Sequence, residues 1–205
     1  MAKLPAIILA GGSGERLGGA DKALVTLAGK PLIEYVIDRL EPHCITIAIN
    51  ANGDPKRFSH YGLPVVPDGQ VDALGPLAGV LAGLDWAGRK GFDAVITAAA
   101  DTPFFPDTLV EHLSRQAAQN GFAIAATETD GDGPNLHPTF GLWPVRFRDD
   151  LRAALVRHQR RMMQFAESKD AAIAAFAMDQ GRDPFFNINT PDDLAMAEEI
   201  ISRGG

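Results

Sequence analysis

Apolar positions in this chain fall into short blocks that alternate between two periods. Ala6–Leu9 is an unbroken apolar run, the pattern of a strand buried on both faces of a parallel sheet. Cys44–Ile49, Pro64–Val66, Ala94–Ala98, Ala123–Thr127, Thr139–Trp143 and Ala171–Phe176 read as further extended segments. Between them the period lengthens. Pro31–Leu40 places Leu32, Val36 and Leu40 on one helical face, with Pro31 suited to the first turn. Gly75–Ala87 repeats Leu77, Leu81 and Leu84 with small residues between them. Pro106–Asn120, Phe147–Gln159 and Pro191–Arg203 complete the helical segments. Strands alternating with helices predict a three-layer α/β/α domain, Rossmann-like, around a mostly parallel central sheet. No repeat, low-complexity tract or dividing linker interrupts it, so residues 1–205 read as a single domain. In such sheets ligands bind beyond the carboxyl ends of the strands, which directs the search for chemistry to the loops that follow them.

Composition narrows the function classes. A formal net charge of −7 argues against a general nucleic-acid surface, which needs clustered Lys and Arg. The single cysteine, Cys44, excludes an intramolecular disulfide, and its strand neighbours Ile45, Ile47 and Ile49 give it a packing role. No apolar run is long enough for a membrane span, and Ala6–Ala10 is too short for a secretory core. The chain reads as soluble and cytoplasmic.

The first strand runs into Leu9-Ala10-Gly11-Gly12-Ser13-Gly14-Glu15-Arg16-Leu17-Gly18-Gly19-Ala20-Asp21-Lys22. Glycines let the backbone turn and bring bare N–H groups to an anion. Arg16 and Lys22 add the fixed positive charge that a triphosphate requires. The spacing is neither that of a Walker loop nor that of a dinucleotide fingerprint. A glycine-rich turn with solvated charges is the competing account. The second chemical signal is Asp101, set directly after the apolar strand Ala94–Ala98. A carboxylate there needs a partner. Ala98–Pro106 contains no Lys or Arg, so a magnesium ion, completed by substrate phosphates and water, is the economical one.

At this point a resemblance becomes specific. LAGGSGERLGGADKALVTLAGKPL is similar to the LAGGxxxRxG…K loop of the sugar-phosphate and cofactor nucleotidyltransferases. Its GG-x-DK ending and later segments most resemble the molybdenum cofactor guanylyltransferases, over nearly the whole chain. The resemblance implies nucleotide contacts from Leu9, Ala10, Gly11, Gly12, Lys22, Asn50 and Gly75, the last within Gly75-Pro76-Leu77-Ala78-Gly79. Arg16 and Lys22 would stabilise triphosphate charge, and Asp101 of the DxP segment would hold Mg²⁺. Asp68 would read guanine, whose N1–H and N2–H₂ are donors to an acceptor-only carboxylate. His137, in His137-Pro138-Thr139, falls on the acceptor side. Arg160 and Arg161 are candidates for the acceptor's phosphate, with a solvated helix end as the alternative. In Asn187-Ile188-Asn189-Thr190-Pro191, the two asparagines alternate with Ile188 on one side of an extended segment, and one of them completes the site. Asp192 and Asp193 suit the start of the last helix. The implied reaction joins GTP to molybdopterin-bound molybdenum cofactor and releases pyrophosphate, with molybdoenzyme maturation proteins as partners and neither nucleic acid nor membrane involved. The rivals are a cytidylyltransferase of the same fold, acting on molybdopterin or an isoprenoid phosphate, and a non-catalytic nucleotide sensor.

Overall fold

The computed structural model describes residues 3–11, 13–14, 20–69, 75–129, 131 and 133–204. In chain order, β1 (Leu4–Leu9) is followed by the two-residue strands β2 (Ser13–Gly14), β3 (Ala20–Asp21), β4 (Thr26–Leu27) and β5 (Lys30–Pro31). Helix α1 (Leu32–Leu40), β6 (Cys44–Asn50), β7 (Val65–Val66), α2 (Pro76–Arg89) and β8 (Ala94–Ala99) complete the first half. The second half holds α3 (Leu109–Gln116), β9 (Ala123–Thr127), β10 (Asn135–Pro144), α4 (Arg148–Val156), α5 (Met162–Ser168), β11 (Ala172–Phe176) and α6 (Pro191–Gly204).

Seven strands form one sheet in the order β11-β9-β10-β8-β1-β6-β7. Every pairing is parallel except those of β10, which runs antiparallel to both β8 and β9. This is the mostly parallel α/β sheet that the alternating pattern predicts. Strand β1 is buried on both sides because successive side chains point to opposite faces. Ala6 and Ile8 join a core with Ile33 and Val36 of α1 and Leu109 and Leu113 of α3. Ile7 faces the opposite core, with α2, α4 and α5. A smaller cluster ties α6 to the hairpin: Leu27, Leu32, Ile188 and Ala197 are all fully buried.

The small residues of α2 have a steric reason. A Cβ at Gly79 would lie 2.2 Å from Asn50 Oδ1, and one at Gly83 would lie 2.6 Å from Ile7 Cγ2. The helix therefore rests directly on β1 and β6. Gly75, just before α2, has φ +121°, a left-handed conformation that suits glycine.

Several boundaries differ from the sequence pattern. Helix α3 is shorter than Pro106–Asn120 and spans Leu109–Gln116. Helix α4 stops at Val156, and His158 just beyond it takes φ +60°, which breaks the helical run. Helix α5 has no counterpart in the sequence reading; its seven residues bury only Met162, Phe165 and Ala166, too few to show a period. Asn187–Asn189 belongs to neither a strand nor a helix.

Gly83→Ala should lower the melting temperature. Forcing a methyl into a filled interface costs about 1–3 kcal/mol, more than the roughly 1 kcal/mol that Ala gains over Gly in a helix. Thermal melts check this, and a rise in melting temperature would contradict so close an approach of α2.

Candidate active site

The chain lays β6 and β7 on one side of β1 and then crosses to place β8 on the other. Such a reversal opens a crevice at the carboxyl ends of the strands. A cleft of about 250 Å³ occupies this place, lined by Leu9, Gly11, Asn50, Asn52, Asp68 and Gly75, and by Ala99, Asp101, Thr139 and Asn187.

At one end of the cleft two charges meet. Lys22 begins a short 3₁₀ turn, Lys22–Leu24, which Asp21 caps by accepting the Ala23 N–H at 3.3 Å. The Lys22 ammonium contacts the Asp101 carboxylate and donates to Asn189 Oδ1 at 2.5 Å. Asp101 thus has a protein cation, supplied from a segment 79 residues away. The sequence around Asp101 pointed to a metal as the economical partner. The fold brings a cation that local sequence does not show, so the lack of Lys or Arg beside Asp101 does not by itself call for a metal. The other Asp101 oxygen lies 3.1 Å from the Thr102 hydroxyl, which also contacts the Asn187 amide. The Ile188 N–H donates to the Asp101 carbonyl at 2.9 Å, and Ile188 is fully buried. Asn187 and Asn189 therefore flank a buried residue and both reach the Lys22–Asp101 pair, one through Thr102 and one directly.

The donor set bears on the metal. No group of three or more His, Cys, Asp or Glu side chains converges among the described residues. One carboxylate with amide and hydroxyl oxygens beside it fits a hard, oxygen-seeking ion that shares its coordination with phosphates and water. It does not fit zinc.

At the other end, Asp68 is held in place by two asparagines. Asn50, nearly buried, donates to Asp68 Oδ1 at 2.9 Å and to the Val66 carbonyl at 3.1 Å. Asn52 donates to Asp68 Oδ2 at 2.8 Å and accepts the Asp68 N–H at 2.9 Å. Sequence reasoning picked out Asn50 but not Asn52. The signal was the two-residue spacing, which puts both on one side of an extended chain. Thr139, also missed, reaches the cleft because the antiparallel β10 begins beside the carboxyl end of β8 and runs away from it.

The remaining site residues are placed as follows. Ala10 is buried beneath the cleft, its N–H bonded to the Asn50 carbonyl at 2.9 Å. Gly12 and Arg16 lie outside the described residues. Arg160 and Arg161 are exposed between α4 and α5. Asp193 accepts the Asn189 and Thr190 N–H groups while Thr190 Oγ1 accepts the Asp193 N–H, a capping box that starts α6 as expected. His137 is not among the residues lining the cleft. Its ring stacks on Phe185 with centroids 4.6 Å apart, and Nε2 lies 2.9 Å from Thr127 Oγ1 and 3.2 Å from Asp183 Oδ2. Cys44 is buried in the core, and that burial raises its thiol pKa to about 12, consistent with packing.

Residues 6–182 match the family of the MobA-like NTP transferase domain. The chain belongs to this family. Two curated relatives, from Rhodopseudomonas palustris (strain BisB5) and Bradyrhizobium sp. (strain ORS 278), are each named molybdenum cofactor guanylyltransferase. The first is 47% identical, covering 97% of this chain and 94% of that protein; the second is 46% identical, covering 97% and 93%. Among solved structures, molybdopterin-guanine dinucleotide biosynthesis protein A from Archaeoglobus fulgidus is similar with TM-score 0.75 and 28% identity, covering 98% of this chain and 100% of that one. Membership makes this chain a nucleotidyltransferase.

The His137–Asp183 contact gives a pH signature. Burial lowers the His137 pKa from its ordinary 6.5, more than the facing Asp183 carboxylate raises it. Burial raises Asp183, but hydrogen bonds from Thr127, the Phe185 N–H and Asn135 outweigh it and hold the carboxyl below its usual range. The unfolded chain therefore binds the histidine proton more readily, and stability falls as pH drops from about 6.5 towards the folded value. The Asp183 contribution is present above the unfolded carboxylate value and is lost only in more acid solution. Melting temperatures of wild type and His137→Gln between pH 7 and 5 check this, with a flatter profile expected for the variant. Identical profiles would place the titrating group elsewhere.

Proposed function

We propose that this chain transfers GMP from GTP to the molybdopterin-bound molybdenum cofactor, forming the guanine dinucleotide cofactor and pyrophosphate. The observation that carries the reading is the meeting of Lys22, from the glycine-rich loop, with Asp101 in a cleft whose far end presents Asp68. The curated relatives' names supply the acceptor.

A terminal phosphate oxygen of the acceptor attacks the α-phosphorus of GTP in line. The bond from that phosphorus to the α–β bridging oxygen breaks, and pyrophosphate leaves with the electron pair. A phosphate monoester is already anionic near neutral pH, so positioning and charge neutralisation do the work and no general base is assigned. Lys22 and the loop N–H groups hold triphosphate oxygens. Asp101, flanked by Thr102 and Asn187, would hold Mg²⁺, which when bound supplies positive charge to the phosphate oxygens. Asn50 and Asn52 occupy two sides of the Asp68 carboxylate, orienting its remaining lone pairs for the N1–H and N2–H₂ donors of guanine. None of the described helices is long and apolar enough to cross a membrane. A cytoplasmic location and delivery by molybdoenzyme maturation proteins are part of the proposal.

Two measurements test it. One charge-assisted contact of Asp68 with guanine contributes about 1.5–3 kcal/mol, so GTP should bind roughly ten- to a hundredfold more tightly than CTP. Equal affinities in a calorimetric titration would overturn the guanine assignment. Asp101→Asn keeps the shape and one acceptor for Lys22 but removes the charge. It should fold, lose most turnover and show a much weaker Mg²⁺ dependence, while GTP binding without metal changes little. Turnover near wild type with a normal Mg²⁺ response would place the metal elsewhere.

A further inference from the structure

Outside the cleft, one carboxylate collects more hydrogen bonds than any role so far given to it explains. Asp183 follows β11, and its side chain is about a quarter exposed. Oδ1 accepts the Thr127 hydroxyl at 2.7 Å and the Phe185 N–H at 2.8 Å. Oδ2 accepts Asn135 Nδ2 at 2.7 Å and faces His137 Nε2 at 3.2 Å. These donors come from β9, from β10 and from the segment that Asp183 itself begins. Neither Lys nor Arg pairs with it among the described residues, so it serves as an acceptor for directed bonds rather than as half of an ion pair with a fixed cation.

The segment it anchors carries the two asparagines. Phe185 is buried between the His137 ring and the rings of Phe140 and Phe176, at centroid distances of 4.6, 5.0 and 5.3 Å. Two residues after Phe186 the buried Ile188 bonds to the Asp101 carbonyl, and Asp193 then takes the Asn189 and Thr190 N–H groups. The stretch is pinned at Asp183, at Ile188 and at Asp193. Between the first and last pins lie Asn187, against Thr102, and Asn189, against Lys22.

We infer that Asp183 is a positioning residue for the reaction: by fixing residues 183–189 to β9 and β10, it sets Asn187 and Asn189 against Thr102, Asp101 and Lys22. The inference rests on the reading of Asn187 and Asn189 as parts of the active site. Asp183 touches neither substrate nor the reacting atoms and acts through those side chains.

Asp183→Asn in the full chain keeps the size and the Oδ1 acceptor but turns an NH₂ group towards Asn135 Nδ2 and His137 Nε2, donor against donor. Its kcat for pyrophosphate release from GTP and molybdenum cofactor should fall about tenfold or more, the scale typical of supports around a reactive centre. GTP affinity should be unchanged, because the Asp68 end is untouched. Adding Asn135→Asp reverses donor and acceptor and should restore most of kcat, which a general loss of stability would not allow. Wild-type kcat in Asp183→Asn, or a loss that the exchange leaves unrelieved, overturns the inference. Should Asp183→Asn fold poorly, Thr127→Val removes one donor and keeps the charge, and unchanged kcat there also overturns it. Asn187→Ala and Asn189→Ala, measured alongside, separate the two levels. If both keep wild-type kcat, the reading of the site falls and takes this inference with it. If kcat is lost there but survives in Asp183→Asn, only the inference falls.

Discussion

The contact between Lys22 and Asp101 is the constraint on which the rest of the site depends. Each charge sits at the end of a buried strand or its loop, where solvent is scarce and an unmatched ion is costly. The two come from segments far apart in sequence, so the match exists only when β1 and β8 lie side by side in register, Leu9 opposite Ala99. Once they do, the cleft is fixed between them, and both asparagines of the C-terminal segment find partners. The pair is also balanced before any ligand arrives. An anion at Lys22 competes with Asp101, and a cation at Asp101 competes with Lys22. Under the proposed reaction, triphosphate and metal are therefore complementary ligands: each relieves the group the other displaces.

The sheet supplies rigidity to this balance. Gly79 and Gly83 let α2 lie on β1 and β6, so Asn50 cannot shift towards the helix without meeting its backbone. The antiparallel β10 has a different effect. It returns Thr139 to the cleft, and it sets Asn135 and His137 beside Thr127, where the Asp183 carboxylate joins them. A parallel strand in that place would enter from the opposite end.

What was legible in the sequence follows from how local each cause is. The apolar run of β1, the glycine-rich loop and the carboxylate after β8 are each written within a few consecutive residues, and they located the cleft. The capping box at Thr190–Asp193 is equally local. Helix ends were less legible, because a left-handed residue such as His158 carries no compositional mark. Helix α5 is too short for a period to emerge. The direction of β10, the cation facing Asp101 and the donors around Asp183 are products of long-range pairing, and no window of sequence contains them.

The two ends of the cleft are mechanically joined by a residue that belongs to neither. Arg57 donates to Asp21 Oδ2 at 2.5 Å, to the Asp54 carbonyl at 2.7 Å and to the Asn52 carbonyl at 2.6 Å. Asp21 precedes Lys22 and caps its turn, while Asn52 grips Asp68 twice. One planar guanidinium thus ties the support of the Lys22 ammonium to the support of the Asp68 carboxylate, and its fixed fork tolerates little relative movement. Under the proposed reaction, base recognition at Asp68 and the charge at Lys22 are held to one geometry, which a transferase needs when it both selects a nucleotide and aligns its α-phosphorus.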